Sequence, residues 1–362
     1  MCPLPGFFTV EGGATVRAWR PFLATMLLVL FVTSCSFSGS DTEATPTVDQ
    51  GNGSLRIFVA GESRTIKPFH QFTEATGIKI EAQFAPQQEW VERLQANREK
   101  PGADLFWSDN AIDLAILSNL GLFEPYDSPL ANALPDYGRD HDGRWYGLTE
   151  RRLALVYSPS TLSTVEMPTT IEEFIHTPWQ HTVAVPPATS RLWTRFLTEV
   201  VAFEGEMALL QLLESLNQLT FDLSEESMSD VQHVANGDVA ALLTTSDIGM
   251  RWMTDNEQAT NEVHMQPLAS QYAEHVGIVT GVAILRGTEQ RQAAEALVDF
   301  LLEPDRRRSL AEQDSHEQLL TEQTDEQQLP RLHPDEMAAL VPLVEHYWQI
   351  VLDSEVRANT ND

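Results

Sequence analysis

A few short polar segments hold the side chains best suited to grip a small solute. Gly61-Glu62-Ser63-Arg64 combines a hydroxyl with a cation, and Ser108-Asp109 pairs a hydroxyl with a carboxylate. Tyr146 and Arg151 lie close together in sequence, and Thr189-Ser190 follows a pair of prolines. Thr245-Ser246-Asp247 adds two hydroxyls and a second carboxylate. Hydroxyls, an arginine and helix N-terminal amides are the donors that hold an oxyanion. Each segment also has a plainer reading. Ser63 can cap a helix, Asp109 can cap the next one, Arg151 can be a surface charge, and Tyr146 and Tyr272 can be packing aromatics.

No catalytic constellation competes with a binding reading. The chain has no G-x-S-x-G, P-loop or dinucleotide fingerprint. Its ten histidines show no metal-motif spacing; His176 and His181 do not share a helical face. The expectation is a binding protein with no enzyme activity, no cofactor and no resident metal.

The elements that must position these segments alternate strand with helix. Leu55 to Val59 is a β-rich run, and Ile66, Phe69 and Phe72 recur at helical spacing before Gly77. Ile78, Ile80, Ala82 and Phe84 alternate as a strand does. Trp90, Val91 and Leu94 mark a helix, Ala103 to Trp107 a buried strand, and Ile112 to Leu120 another helix. Strands are expected at 153–157, 182–185, 239–243 and 278–285. Helices are expected around Leu192 to Val200, Leu209 to Leu219, Val231 to Ala235, Ala293 to Leu302 and Met337 to Val351. Gln313 to Gln328, acidic and glutamine-rich, reads as a solvated loop. This rhythm specifies an α/β fold with helix-covered parallel sheets. The polar segments fall on loops after strands, where open α/β sheets take their ligands.

The formal net charge is −30, from 53 acidic and 23 basic residues. Such a surface repels phosphate backbones and excludes nucleic acid as a partner. Arg17 and Arg20 precede an apolar run, Phe22 to Thr33, that is short for a membrane span. It ends at Val32-Thr33-Ser34-Cys35, which looks like a lipobox. Residues 1–35 are therefore expected to be a lipoprotein signal peptide, with Cys35 lipidated and the protein held at the periplasmic or cell-surface side of a membrane. Residues 36–54, polar with almost no apolar residue, are expected to form a flexible tether.

Several segments together resemble the solute-binding proteins of ferric-iron and related ABC importers. Phe72-Thr73-Glu74-Ala75-Thr76-Gly77-Ile78-Lys79-Ile80 resembles that family's F-x-x-x-T-G-I-K-V. Ala103 to Ser108 resembles its A-D-V-F-W-S, and Asp142 to Leu148 its D-G-x-W-Y-G-L. Gly237 to Thr244, Gly281 to Gly287 and Val298 to Pro304 follow in order. The resemblance covers roughly Leu55 to Ser315. It implies a two-lobed type II periplasmic-binding-protein fold, with a small-molecule or metal-chelate ligand in the interlobe cleft and an ABC permease as partner. The expected lobes are 55–150 with 258–310, and 151–257 with 311–362. The chain is expected to cross between them near Arg151 to Tyr157 and near Leu243 to Asp247. Arg151 matches the family's anion-pairing arginine, and Leu153 replaces a second one; Arg152, one residue off, faces the other way on a strand. Ferric-binding members carry a tyrosine pair where this chain has Ser246-Asp247. The resemblance then implies an oxyanion-bearing solute or a chelated ferric ion, with direct Fe³⁺ binding or a ligand-sensing role as alternatives.

Overall fold

The computed structural model describes residues 8–9, 54–61, 66–162, 167–177, 179, 183–186, 190–218, 222–223, 227–257, 262–273, 276–314, 317–320 and 332–359. Cys35, tether residues 36–53, Ser63, Arg64 and Thr189 lie outside them.

The first lobe grows from apolar runs that alternate with amphipathic helices. Behind a two-residue edge strand β1 (Phe8–Thr9) come β2 (Leu55–Ala60), α1 (Lys67–Thr76), β3 (Ile80–Ala85), α2 (Gln87–Ala96), β4 (Leu105–Ser108) and α3 (Ala111–Asn119). Strand β2 pairs in parallel with both β3 and β4, as right-handed β-α-β crossovers require. Gly77 ends α1 in the left-handed conformation at φ 78°, where a side chain would be strained. The core fills with Phe58, Phe72, Phe106, Trp107 and Trp145, all at most 1% exposed.

Strand β5 (Tyr146–Tyr157) is the spine of the molecule. Its first half pairs with β10 (Gly277–Ile284), and its second half with β8 (Ala241–Thr245) and β9 (His264–Pro267). The second lobe contains α4 (Ile171–His176), β6 (Val183–Val185), α5 (Arg191–Glu204), α6 (Glu206–Gln218), β7 (Asp222–Leu223), α7 (Met228–Asn236) and α8 (Ser246–Asp255). Here β6 runs parallel to β7 and β8. Helices α9 (Arg291–Leu302) and α10 (Pro304–Ser309) return to the first lobe, β11 (Gln318–Leu319) follows, and α11 (Pro334–Asn359) ends the chain.

Three expectations shift. The second crossing runs through β10: its start pairs with Arg152 and Arg151, its end with β4. The segment 243–247 is instead the end of β8 and the start of α8, within the second lobe. Strand β9, expected in the first lobe, pairs with β5 beside Ala154 to Tyr157. The expected solvated loop contains β11, which pairs with Thr149 and Glu150, while Glu317 and Leu320 are buried. An acidic residue was no guide there, because Glu317 accepts a hydrogen bond from the Thr149 hydroxyl.

Helix α11 is shared. Met337, Ala338 and Val341 pack on Ile112 and Ala115 of α3. Val344, Trp348 and Val351, further along, join the second lobe's core with Trp193 and Phe196 of α5. One amphipathic helix thus touches both lobes.

Candidate functional site

Between the lobes lies a cavity of about 1130 Å³. Ala60 ends β2 and Gly61 follows it, Gln87 and Gln88 follow β3, and Asp109 and Asn110 follow β4. Opposite them stand Ser190 and Arg191 after β6, Ser227 and Met228 after β7, and Asp247, Ile248 and Arg251 after β8. Arg151 and Ile278 on the crossing strands form the base, and Val344, Glu345, Trp348 and Leu352 of α11 form a wall. The walls on both lobes are built at the carboxyl ends of parallel strands, the position where open α/β sheets bind ligands.

Helix starts converge on this cavity. The first turns of α2, α3, α5, α7 and α8 all reach its lining, so five partly positive helix ends converge. Asn110 caps α3 by accepting from Ile112 N, and Ser190 caps α5 by accepting from Leu192 N. The cap of α3 is therefore Asn110 rather than Asp109. Gly61, at φ 87°, leaves room for Asp109: a Cβ there would stand 3.3 Å from the Asp109 carboxylate.

Arg151 sits at the cavity floor and donates through Nη2 to the Asp109 carbonyl at 3.0 Å. Its Nε is buried with no partner among the described residues. Asp247, 2% exposed, accepts from Arg251 Nη2 at 2.9 Å, while its other oxygen is buried without a hydrogen bond. The Thr245 hydroxyl is likewise buried and unsatisfied. Of these residues, Arg151 and Asp247 line the cavity. Ser246 accepts from Arg152 N at 3.3 Å and tightens the start of α8 against the spine.

The remaining sequence candidates go elsewhere. Ser108 is fully buried and braces the β4–α3 turn, accepting from Gln87 Nε2 at 2.7 Å and donating to Asn110 O. Tyr146 is in the first lobe's core, where its hydroxyl donates to Tyr126 O and accepts from Ser128 N. Burial raises its pKa, so the phenolate form is disfavoured. Tyr272 bonds to Glu204 in the second lobe. None of the six tyrosines lines the cavity.

Gln87, Arg191, Arg251, Glu345 and Trp348 were missed. Gln87 holds Ser108 and Asp113 and accepts from Asp109 N. Arg191 pairs with Asp113 of α3 and Glu345 of α11, at 3.0 Å each. Burial is the dominant influence on Asp113 and pushes its pKa up despite Arg191 and Gln87. Arg191 is half-buried, which opposes its charge, yet Asp113 and Glu345 raise its pKa. Both values are raised, which favours the charged arginine and disfavours the charged carboxylate. Arginine stays charged in either case, so ionised Asp113 is the costly partner.

A model of the family described as bacterial extracellular solute-binding protein matches residues 60–307. The chain belongs to that family. The major ferric iron-binding protein of Neisseria meningitidis serogroup B is 25% identical over 243 residues, 66% of this chain and 72% of that one. A ferric binding protein from Campylobacter jejuni superposes with a TM-score of 0.70 at 17% identity, covering 82% of this chain and 99% of that one. A periplasmic binding protein of Actinobacillus pleuropneumoniae, with fructose-6-phosphate bound, gives 0.66 at 15%, covering 84% and 98%. The structural likenesses establish the two-lobed fold, and family membership makes this a solute-binding protein. The interlobe cavity is where such a protein would take its solute.

Proposed function

We propose that this solute-binding protein serves an ABC importer and captures a small oxyanion-bearing solute, or a ferric ion carried by one, in the cavity between its lobes. The observation that carries the reading is the lining: Arg151 and Arg251 with converging helix N-termini, and no tyrosine. Bare Fe³⁺ is a hard ion best held by phenolates and carboxylates, and the phenolates are elsewhere. A cavity of about 1130 Å³ also exceeds what one ion needs. Trp348 and Val344 supply an apolar wall that an organic body would cover. The fold accommodates such cargo, since one relative holds a sugar phosphate.

Thermal shift against ferric citrate, free carboxylates, phosphonates and sugar phosphates tests this, because a ligand of the folded state raises the melting temperature. Titration calorimetry of the strongest hit should then show a loss of roughly 10- to 100-fold in Arg151→Ala, since each charge-assisted hydrogen bond is worth about 1.5 to 3 kcal/mol. Direct iron binding has its own support in Asp109 and Asp247 on opposite walls and in the named iron relatives. A protein that coloured with a ferric salt lacking any chelating anion, and responded to none of the anions, would establish that reading instead.

The lipobox supports anchoring through Cys35. Mass spectrometry of the native N-terminus should find a diacylglyceryl cysteine; an unmodified Cys35 would refute the anchor.

A further inference from the structure

We propose that His141, His333 and Asp335 bind one borderline divalent cation, of the Zn²⁺ type, at a surface site separate from the cavity. The three residues come from two distant parts of the chain. His141 lies in the turn before β5, and His333 and Asp335 lie at the entry to α11. One ligand atom from each falls within 4.8 Å of the others. His333 Nδ1 and Asp335 Oδ2 are already 3.2 Å apart. Ligands about 2.0 to 2.1 Å from a tetrahedral zinc stand about 3.3 Å from each other, so that edge is already set.

The surroundings prepare His333 for the task. Its Nε2 lies 2.9 Å from Arg139 O and 3.2 Å from Asp136 O. Carbonyls only accept, so Nε2 carries the proton. In the neutral ring the lone pair is then on Nδ1, where it accepts from Asp335 N at 3.2 Å, a hydrogen bond that a bound metal would replace. An imidazole that donates its other nitrogen to a carbonyl is the usual outer-shell arrangement of a metal-bound histidine. The ring rests near Trp145, which is fully buried, and its side chain is only 11% exposed.

His141 supplies the adjustable ligand. Asp140 Oδ2 accepts from Asp142 N at 2.9 Å and from Arg144 N at 3.0 Å, which fixes the turn's backbone. The His141 side chain is 65% exposed and stacks on His333, with ring centroids 4.7 Å apart. Parallel rings cannot both aim a lone pair at one ion, so His141 must turn about its side-chain bonds, which its exposure permits. Two imidazoles and a carboxylate suit zinc, copper or nickel rather than calcium or magnesium. Bound there, the ion would tie the start of α11 to the first lobe.

The test is titration of untagged, chelator-stripped full chain with ZnCl₂ at physiological salt, read by calorimetry and by melting temperature. One tight equivalent and a raised melting temperature are expected. His141→Ala should abolish both while leaving the metal-free melting temperature unchanged. Asp335→Asn should weaken binding by roughly 10- to 100-fold. Arg251→Ala, in the cavity, should bind Zn²⁺ as the parent does. No tight equivalent in the parent, or full binding by His141→Ala, would overturn the site. Failure here leaves the cavity's role untouched, because the two share no residue.

Discussion

Asp113 shows how a single side chain can serve position at the expense of stability. It is 1% exposed, on the face of α3 toward the second lobe, and two partners, Arg191 and Gln87, reach in to it. Its folded-state pKa is raised, with burial as the main cause. The folded chain therefore binds this proton more tightly than the unfolded chain. Stability falls as pH rises from the ordinary value of 3.8 through Asp113's own raised value. Asn cannot ionise but still offers an oxygen to Arg191 and Gln87. Asp113→Asn should thus compare less favourably with the parent in acid and progressively better toward neutral pH. Urea unfolding of both proteins at several pH values checks the sign; a difference that is flat, or that runs the other way, would count against burial as the ruling influence.

At the scale of elements, the buried cation Arg195 stitches α5 to both crossing strands. Its Nε lies 3.2 Å from Glu199 and its Nη1 3.7 Å from Glu150 on β5, and it donates to Gly277 O on β10. All three charged side chains are at most 8% exposed. Gly277 is obligatory there, since a Cβ would overlap the Glu150 carboxylate at 1.6 Å. Arg195→Met would leave two carboxylates deep in the hinge without their shared cation. Breaking a buried pair from one side costs about 3 to 5 kcal/mol, which chemical denaturation should register. Adding Glu199→Gln should recover part of the loss. The strands and helices around this point were readable in the sequence, because apolar spacing and glycine caps are local signals: Gly77 and Gly237 end α1 and α7 as expected. The network was not readable. Arg195, Glu150 and Gly277 meet only through the crossing of β5 and β10. The same limit hid His141 and His333, whose separation in sequence matches no motif. Arg251 is the exception: four residues after Asp247 on one helix, its pairing follows from helical geometry alone.

For the whole molecule, the question is what sets the distance between the lobes. Periplasmic-type folds close by hinge motion around a ligand, and here a protein-made link already spans the gap. Asp113 belongs to the first lobe, Arg191 to the second, and Glu345 to the helix that packs on both. Arg191 is 23% exposed and Glu345 60%, so the Glu345 pair is screened by salt and is the weaker bond. The Asp113 pair, nearly dry on one side, is the stronger clamp. Apolar contacts of α11 with each lobe act in parallel and are insensitive to salt. Removing the arginine side chain should therefore loosen the lobes without unfolding either core, since no apolar core residue is touched. Arg191→Ala should raise the radius of gyration of the ligand-free protein in small-angle scattering. It should also weaken solute binding, because a population spread toward open forms lowers apparent affinity by the fraction that remains competent. Glu345→Ala should do the same to a lesser extent, and only at low salt. If Arg191→Ala scattered like the parent, the apolar contacts of α11 alone would hold the lobes, and the ion pairs would serve the cavity's charge balance instead.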